Sequence, residues 1–307
     1  KGKQSIVNLQ PIGAVTKNAA GKDLSEMYDM QQSGAITFSD GLHPIQSAGL
    51  MVKALQYVKS FGGTILQLPD DTSIAANGLM NEGKISTQMG LPGKPVLAEE
   101  LMLARDLKLA RYADSKIHFT GISSPKSIGY IRRSKERGMQ VTCSITPYQA
   151  FFCDEDLQGY DCNLKLNPPV RSREDMLAIR EALMSGTIDC IASHHLPQHQ
   201  DTKDCEFEYA KPGMISLETM FAVMNTIGLP VADFVLMQTK NARQIFNLPI
   251  PQIKEGHLAT LTLFNAGTEY IFHAAMIHSK STNSPFIGKK LKGKVVGIIN
   301  KSQLLLN

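Results

Sequence analysis

The sequence lacks a long apolar stretch, and it has no strong excess of charge of either sign. No apolar run approaches the roughly 20 residues that a membrane-spanning helix needs. The formal net charge is only +4 over 307 residues. An apolar fraction of 43% with 20% charged residues is ordinary for a globular protein. We therefore predict neither a membrane partner nor a nucleic-acid partner.

Cysteine is scarce, and its spacing forms no recognisable site. The chain has five cysteines, Cys143, Cys153, Cys162, Cys190 and Cys205. No two form a C-x-x-C pair, which argues against a disulfide framework and against a zinc knuckle. This pattern favours a reducing cytoplasm as the location.

Signals of several other kinds are also missing. The sequence has no P-loop, no G-x-G-x-x-G and no nucleophile elbow, so nucleotide chemistry and serine hydrolysis are unsupported. The basic first residues are not followed by the apolar core of a signal peptide. Because no initiator methionine is present, we expect the chain to begin partway through a longer gene product.

Short apolar runs alternate with amphipathic stretches through most of the chain, which is typical of βα units laid side by side. Helices are predicted at 49–61, 98–112, 125–137 and 173–185. Strands are predicted at 5–9, 35–38, 64–67, 116–120, 140–145 and 187–193. In the last helix, Ser172 is expected to cap the first turn, where acidic residues follow it.

The stretch GTIDCIASHHLPQH at 186–199 passes from a buried strand into three histidines. Polar residues at the carboxyl end of a parallel strand are typical of the active-site end of a (β/α)8 barrel. Six strands do not close an eight-stranded barrel, so either first units are missing from the chain or the fold is open. After Pro249 the pattern changes to brief alternating runs at 259–264, 269–272 and 295–300, which predict a small β-sandwich piece. We predict a barrel over 1–249 and the β-rich piece over 250–307.

Four long motifs then occur in an order that resembles one family. They are GLMNEGKISTQMGLPGKP at 78–95, YDCNLKLNPPVRS at 160–172, DCEFEYAKPGMISLET at 204–219 and TNSPFIGKKLKGKVV at 282–296. The chain resembles the dihydroorotases of the amidohydrolase superfamily. The resemblance implies a zinc-dependent α/β barrel that interconverts carbamoyl aspartate and dihydroorotate in pyrimidine biosynthesis. It also implies that the family's first two βα units, with their His-x-His metal pair, have no counterpart here.

The resemblance further implies that metal ligands have been lost. Leu68 and Gly121 stand at positions where the family has histidine ligands. Asp40 is a remnant of a pair of aspartates, with Gly41 in place of the second. His194 stands at the position of the family's catalytic aspartate. We therefore expect no metal cofactor in this chain.

The same resemblance implies that the substrate-binding positions are better preserved than the metal-ligand positions. Asn167 matches an asparagine that contacts substrate in the family, although an asparagine beside two prolines also serves as a turn residue. Gln198 replaces a histidine that contacts substrate. A rebuilt metal site is an alternative. It would use histidines and carboxylates that are expected near the carboxyl ends of the strands, namely His43, Asp70, Asp71, His194, His195 and His199. Adjacent residues on a strand point to opposite sides, so His194 and His195 are not both expected to face inward.

Three functional hypotheses follow. The first is an inactive dihydroorotase-like chain that serves as a structural or regulatory subunit. The resemblance suggests aspartate transcarbamoylase as its partner, and a homo-oligomer is the alternative assembly. The second is an active metal-dependent dihydroorotase with an atypical site. The third is a relic pocket for a small dicarboxylate.

Overall fold

The computed structural model describes residues 6–75 and 77–306. Its strands, in chain order, are β1 (Ile12–Gly13), β2 (Thr37–Phe38), β3 (Ile65–Gln67), β4 (Met80–Asn81), β5 (Gly93–Lys94), β6 (Ile117–Phe119), β7 (Val141–Ile145), β8 (Cys190–Ile191), β9 (Thr260–Ile271), β10 (Lys290–Asn300) and β11 (Gln303–Leu306). Within the described ranges, six of them form one sheet in the order β1-β2-β3-β6-β7-β8, and every neighbouring pair is parallel. The predicted α/β barrel architecture with a parallel sheet is confirmed.

The described ranges also contain ten α-helices. They are α1 (Met27–Gln32), α2 (Ala48–Lys59), α3 (Thr72–Ala75), α4 (Lys84–Met89), α5 (Leu97–Ala113), α6 (Pro125–Glu136), α7 (Arg173–Met184), α8 (Met220–Thr226), α9 (Val231–Leu236) and α10 (Ala242–Ile245), with a π-helical turn at Met237–Asn241. The four predicted helices correspond to α2, α5, α6 and α7. As predicted, the Ser172 hydroxyl caps α7 by accepting from the Asp175 backbone N–H at 3.2 Å. No helix within residues 6–75 and 77–306 is long and apolar enough to cross a membrane.

The prediction of a first strand at 5–9 is wrong for the residues that the structure describes, and Ser5 lies outside them. The first strand pairs Ile12 with Thr37 and Gly13 with Phe38 instead. Val7 and Leu9 are exposed. Two apolar residues at alternate positions therefore do not make a strand unless a partner strand lies beside them.

Strict alternation on β7 separates the two faces of the sheet. Val141, Cys143 and Ile145 enter a buried apolar core that they share with the covering helices. Thr142 and Ser144 lie between them and therefore face the other side of the sheet. The inner side of this strand is thus lined with hydroxyl groups.

A second apolar core lies beneath the loops that follow the strands. It brings together the 78–95 motif, the loop after β7 and strand β10, and it contains Met80, Phe152, Leu164, Phe207, Phe286 and Leu291. These loops are therefore packed against one another rather than extended into solvent.

The C-terminal segment is a three-stranded antiparallel sheet in the order β11-β10-β9. The predicted runs 259–264 and 269–272 are one continuous strand, β9, because irregularities in its pairing with β10 absorb the residues between them. Strand β11 was not predicted. The described residues contribute this one layer to the predicted β-rich piece, and the division at residue 249 stays a prediction.

Candidate functional site

The carboxyl ends of the parallel strands bring the predicted site residues to one edge. Strands β2, β3, β6, β7 and β8 are neighbours in that order, as predicted from their polar endings. We call the residues that follow them, Asp40, Leu68, Gly121, Thr146 and His194, the mouth. In parallel sheets covered by helices, this edge is where binding and catalytic groups gather.

Three mouth residues are in direct contact. A Cβ atom at position 121 would lie 2.6 Å from Cε1 of His194 and 3.1 Å from Cδ1 of Leu68. The backbone of Gly121 has φ +70°, which favours glycine. His194 itself has φ 44°, a conformation uncommon for residues other than glycine. We call this arrangement the Leu68–Gly121–His194 contact: the imidazole occupies the space that a side chain at 121 would need.

A chain of hydrogen bonds connects His194 to the inside of the sheet. Its Nε2 lies 2.7 Å from Oγ1 of Thr120. The Ser144 hydroxyl donates to Oγ1 of Thr120 at 3.0 Å and lies 3.1 Å from Nε2 of His118. Nδ1 of His118 lies 2.8 Å from Oγ1 of Thr142. The polar alternation of β7 is the sequence signal that could have identified these hydroxyl groups in advance.

The two histidines of this hydrogen-bonded network, His118 and His194, are neutral at pH 7. Burial lowers the pKa of His194 from 6.5 to about 4. Burial, helped by the charges of Lys135 and His194, lowers the pKa of His118 to about 3. A neutral imidazole has one donor and one acceptor nitrogen, which suits a chain of hydroxyl groups.

The carboxylate of Asp40 is occupied by the loop that follows β1. Its Oδ1 accepts from the backbone N–H groups of Val15 and Thr16 at 2.8 and 2.9 Å. Its Oδ2 accepts from the Thr16 hydroxyl at 2.5 Å. This carboxylate therefore fixes the turn after β1 to the end of β2.

The residues of the mouth do not fit a divalent metal. Catalytic zinc sites use three protein ligands and an open position. Leu68 offers only hydrocarbon, Gly121 has no side chain, and His194 is a single imidazole that already contacts Thr120. In the part of the chain that the structure describes, no group of three histidine, cysteine, aspartate or glutamate residues could hold a metal ion.

Most of the histidines and carboxylates considered for a rebuilt metal site have other partners. Nδ1 of His195 accepts from the Ser216 backbone N–H at 3.1 Å, so His195 and His194 have different partners, as expected. His199 is exposed beside Asp201. Asp71 accepts from the backbone N–H of Ser73 at 3.0 Å. The rebuilt site is therefore not formed by the described residues.

Asn167 is held by a buried ion pair that the sequence did not predict. Nζ of Lys94 donates to Oδ2 of Asp70 and to Oδ1 of Asn167, both at 2.6 Å. Nδ2 of Asn167 in turn donates to Oδ2 of Asp70 at 3.3 Å. We call these three residues the Lys94 triad. Nothing in the local sequence signals it, because its members are far apart along the chain.

Gln198 is also committed to the scaffold. Its Nε2 donates to the carbonyl of Pro212 at 2.8 Å, and its backbone N–H donates to Oδ1 of Asn283 at 3.2 Å. These bonds join the loop after β8 to the 204–219 and 282–296 motifs. The roles of Asn167 and Gln198 in substrate binding stay predictions.

A buried network around Arg171 joins the loop that carries the NPPVR sequence to the 78–95 motif and to the loop after β6. Its guanidinium donates to Oδ1 of Asn81 at 3.1 Å, to the Lys94 carbonyl at 3.2 Å and to the Ser123 hydroxyl at 2.9 Å. The Glu99 carboxylate accepts from the backbone N–H of Ser123 at 3.1 Å. The loops around the mouth are thus rigidly joined.

Comparison with known proteins gives a consistent result. A family model described as dihydro-orotase-like matches residues 2–127. The dihydroorotase of Syntrophus aciditrophicus is 40% identical over 294 residues, which are 94% of this chain and 69% of that protein. The dihydroorotase of a Geobacter species is 37% identical over 306 residues, covering 98% of this chain and 72% of that protein.

A solved structure supports the architecture. The L-hydantoinase (dihydropyrimidinase) from Arthrobacter aurescens superposes with a TM-score of 0.87 at 22% identity, covering 100% of this chain and 71% of that one. At that identity the likeness concerns the fold alone, which is the TIM barrel of the amidohydrolases. The sequence identity to the two relatives extends over 94% and 98% of the chain. The chain therefore belongs to the dihydroorotase family.

Proposed function

We propose that this dihydroorotase-family chain acts in pyrimidine biosynthesis without hydrolysing dihydroorotate itself, as a structural or regulatory subunit. The observation that carries the proposal is the Leu68–Gly121–His194 contact. Hydrolysis of a cyclic amide at neutral pH needs a polarised carbonyl and a hydroxide made from bound water, which one or two divalent metals would supply. Two positions without lone pairs and one imidazole do not hold such a metal.

His194 is also poorly suited to act as the base in place of a carboxylate. An effective general base has a pKa near the working pH. Burial lowers the pKa of His194 to about 4, so the imidazole is a weak base at pH 7. Its Nε2 is in addition engaged with Thr120 at 2.7 Å.

Metal content and turnover test the proposal together. The purified protein is incubated with excess zinc, desalted and analysed for bound metal, and turnover of dihydroorotate is then measured. The dihydroorotase of Syntrophus aciditrophicus serves as the parallel enzyme. We expect far less than one zinc per chain and no turnover above background. One zinc per chain together with turnover of about 1 per second or faster, an ordinary enzymatic rate, would overturn the proposal.

The alternative function is an active dihydroorotase with an atypical site. The 40% identity to a protein of that name favours it. It predicts turnover that disappears in His194→Asn, whereas the leading proposal predicts that both proteins are equally inactive.

The structural role is proposed to involve aspartate transcarbamoylase, or a second copy of this chain. The intact Arg171 network supports this role, because the scaffold around the mouth is preserved while the ligand positions are not. Size-exclusion chromatography of the chain with the aspartate transcarbamoylase of the same organism tests the partner. We expect a joint peak at micromolar concentration. Two separate peaks would count against assembly with that enzyme, and a dimer peak of the chain alone would favour the homo-oligomer.

A further inference from the structure

Two loops beside the mouth meet at a pair of partly buried cysteines. Cys162 lies in a short 3-10 helix, Cys162–Leu164, in the loop after β7. Cys205 lies in the loop after β8, and both cysteines are partly accessible. The Cys162 thiol donates to the carbonyl of Cys205 at 3.2 Å, so its sulfur rests directly against the backbone of the other cysteine. We call this contact the Cys162–Cys205 junction.

The surrounding side chains hold the two loops at this distance. Nζ of Lys203 donates to the carbonyl of Cys162 at 2.7 Å. Nζ of Lys165 donates to the carbonyls of Phe207 and Glu208, both at 2.8 Å. Leu164 and Phe207 belong to the same apolar core. Each loop thus carries a lysine that donates hydrogen bonds to backbone carbonyls of the other loop, and these bonds hold the two cysteines close together.

We propose that Cys162 and Cys205 are a redox-dependent modification site, at which an intrachain disulfide joins the loops after β7 and β8. A disulfide needs the two Cα atoms within about 4.4–6.8 Å, and the close approach of the two residues is shown by the Cys162 sulfur, which lies 3.2 Å from the carbonyl oxygen of Cys205. The inference concerns residues outside the mouth and does not depend on the proposed function.

The other cysteines lack these properties. Cys143 and Cys190 are buried in strands β7 and β8, and Cys153 is buried as well. Burial raises the pKa of Cys143 to about 12, and a buried thiol of this kind is inert because the thiolate is the reactive form. Among the described cysteines, Cys162 and Cys205 are thus the two that are partly accessible and could form a disulfide with each other.

The reaction is thiol–disulfide exchange with a small disulfide such as oxidised glutathione. The Cys205 thiolate attacks glutathione disulfide, forms a mixed disulfide and releases one glutathione thiolate. The Cys162 thiolate then attacks the Cys205 sulfur of the mixed disulfide and releases the second glutathione. Two protein thiols are oxidised, one glutathione disulfide is reduced to two glutathione thiols, and the two protons lost by the protein thiols end on the two released glutathione thiolates. Cys162 is the second nucleophile because its thiol is engaged with the carbonyl of Cys205 in the reduced protein, and burial in addition raises its pKa.

The test is a disulfide map of the folded protein. The reduced protein is incubated with oxidised glutathione without denaturant, alkylated, digested and analysed by mass spectrometry without reduction. We expect the free thiols to fall from five to three, with a linked peptide pair containing Cys162 and Cys205, because two of the five cysteines form the bond. Dithiothreitol is expected to restore all five.

Variants make the assignment specific. Cys162→Ser is expected to keep a mixed glutathione disulfide at Cys205, since the second nucleophile is gone. Cys153→Ser is the matched control and is expected to form the same bond as the unmodified protein. The proposal is overturned if excess oxidised glutathione leaves Cys162 and Cys205 unlinked in the folded protein, or if the linked peptides contain other cysteines. These outcomes are read in the unmodified chain, so a variant that fails to fold does not affect them.

Discussion

Lys94→Met is the substitution that most directly tests the buried ion pair at the mouth. The ammonium of Lys94 bonds both Asp70 and Asn167 at 2.6 Å. The side chains of Lys94 and Asp70 are each only 9% exposed. Methionine keeps the length and apolar stem of lysine but has no charge, so the variant leaves the Asp70 carboxylate buried without its cation.

The expected cost follows from this burial. Removing one partner of a buried ion pair destabilises a protein by about 3–5 kcal/mol, because an uncompensated charge remains. We expect a value near the lower limit, about 3 kcal/mol, since Nδ2 of Asn167 still donates to Asp70 at 3.3 Å.

Two further variants isolate the effect. Lys59→Met removes an ion pair with Asp114 whose side chains are 48% and 81% exposed, and exposed pairs contribute about 0–1 kcal/mol. In the double variant Lys94→Met with Asp70→Asn, neither charge remains, so we expect a smaller loss than in Lys94→Met alone. Together with the Asp70→Asn single variant, these measurements complete a double-mutant cycle that gives the coupling energy of the pair.

Urea denaturation gives the free energy of unfolding of each variant, provided that the slope with urea is unchanged. A loss below about 1 kcal/mol in Lys94→Met, equal to that of the exposed control, would refute the reasoning, because exposed pairs contribute no more than that. It would mean that the Asp70 carboxylate reaches water in the variant.

Two other predictions concern the mouth. His194→Asn, which suits the φ of 44° at this position, is expected to weaken the pH dependence of stability: burial lowers the pKa of His194 from 6.5 to about 4, so the unfolded chain binds more protons in that interval and wild-type stability falls as pH drops through it. Urea midpoints at pH 7 and pH 5 measure this, and an equal decrease in both proteins would contradict it. Gly121→His alone is expected to destabilise the fold by about 1–3 kcal/mol without binding zinc, because its Cβ would lie 2.6 Å from the His194 ring and its φ is +70°. Gly121→His combined with Leu68→His and His194→Asp, in a protein that also carries the family's first strand, is expected to bind zinc by elemental analysis, and zinc in the Gly121→His single variant would count against the steric argument.

The sequence by itself determined the repeating units of the fold and the chemical identity of the mouth residues. Helices α2, α5, α6 and α7 were predictable because an apolar stripe, and in α7 also the capping residue Ser172, act within a few neighbouring residues. The strand ends were predictable because a buried strand stops where polar residues begin. The resemblance of the long motifs to one family also indicated, from sequence, that Leu68 and Gly121 replace two histidine ligands of the family.

Tertiary structure alone decided which of these residues touch. The His194 ring fills the space beside Gly121, and Lys94 reaches Asn167 across a separation of 73 residues. The first strand lies at Ile12–Gly13 rather than at 5–9, because pairing with β2 selects it. The local sequence pattern predicts which face of a helix or strand is buried. Which distant partner satisfies a buried ammonium, carboxylate or thiol depends on the packing of the whole chain, and this is why the Lys94 triad and the Cys162–Cys205 junction have no signal in the sequence.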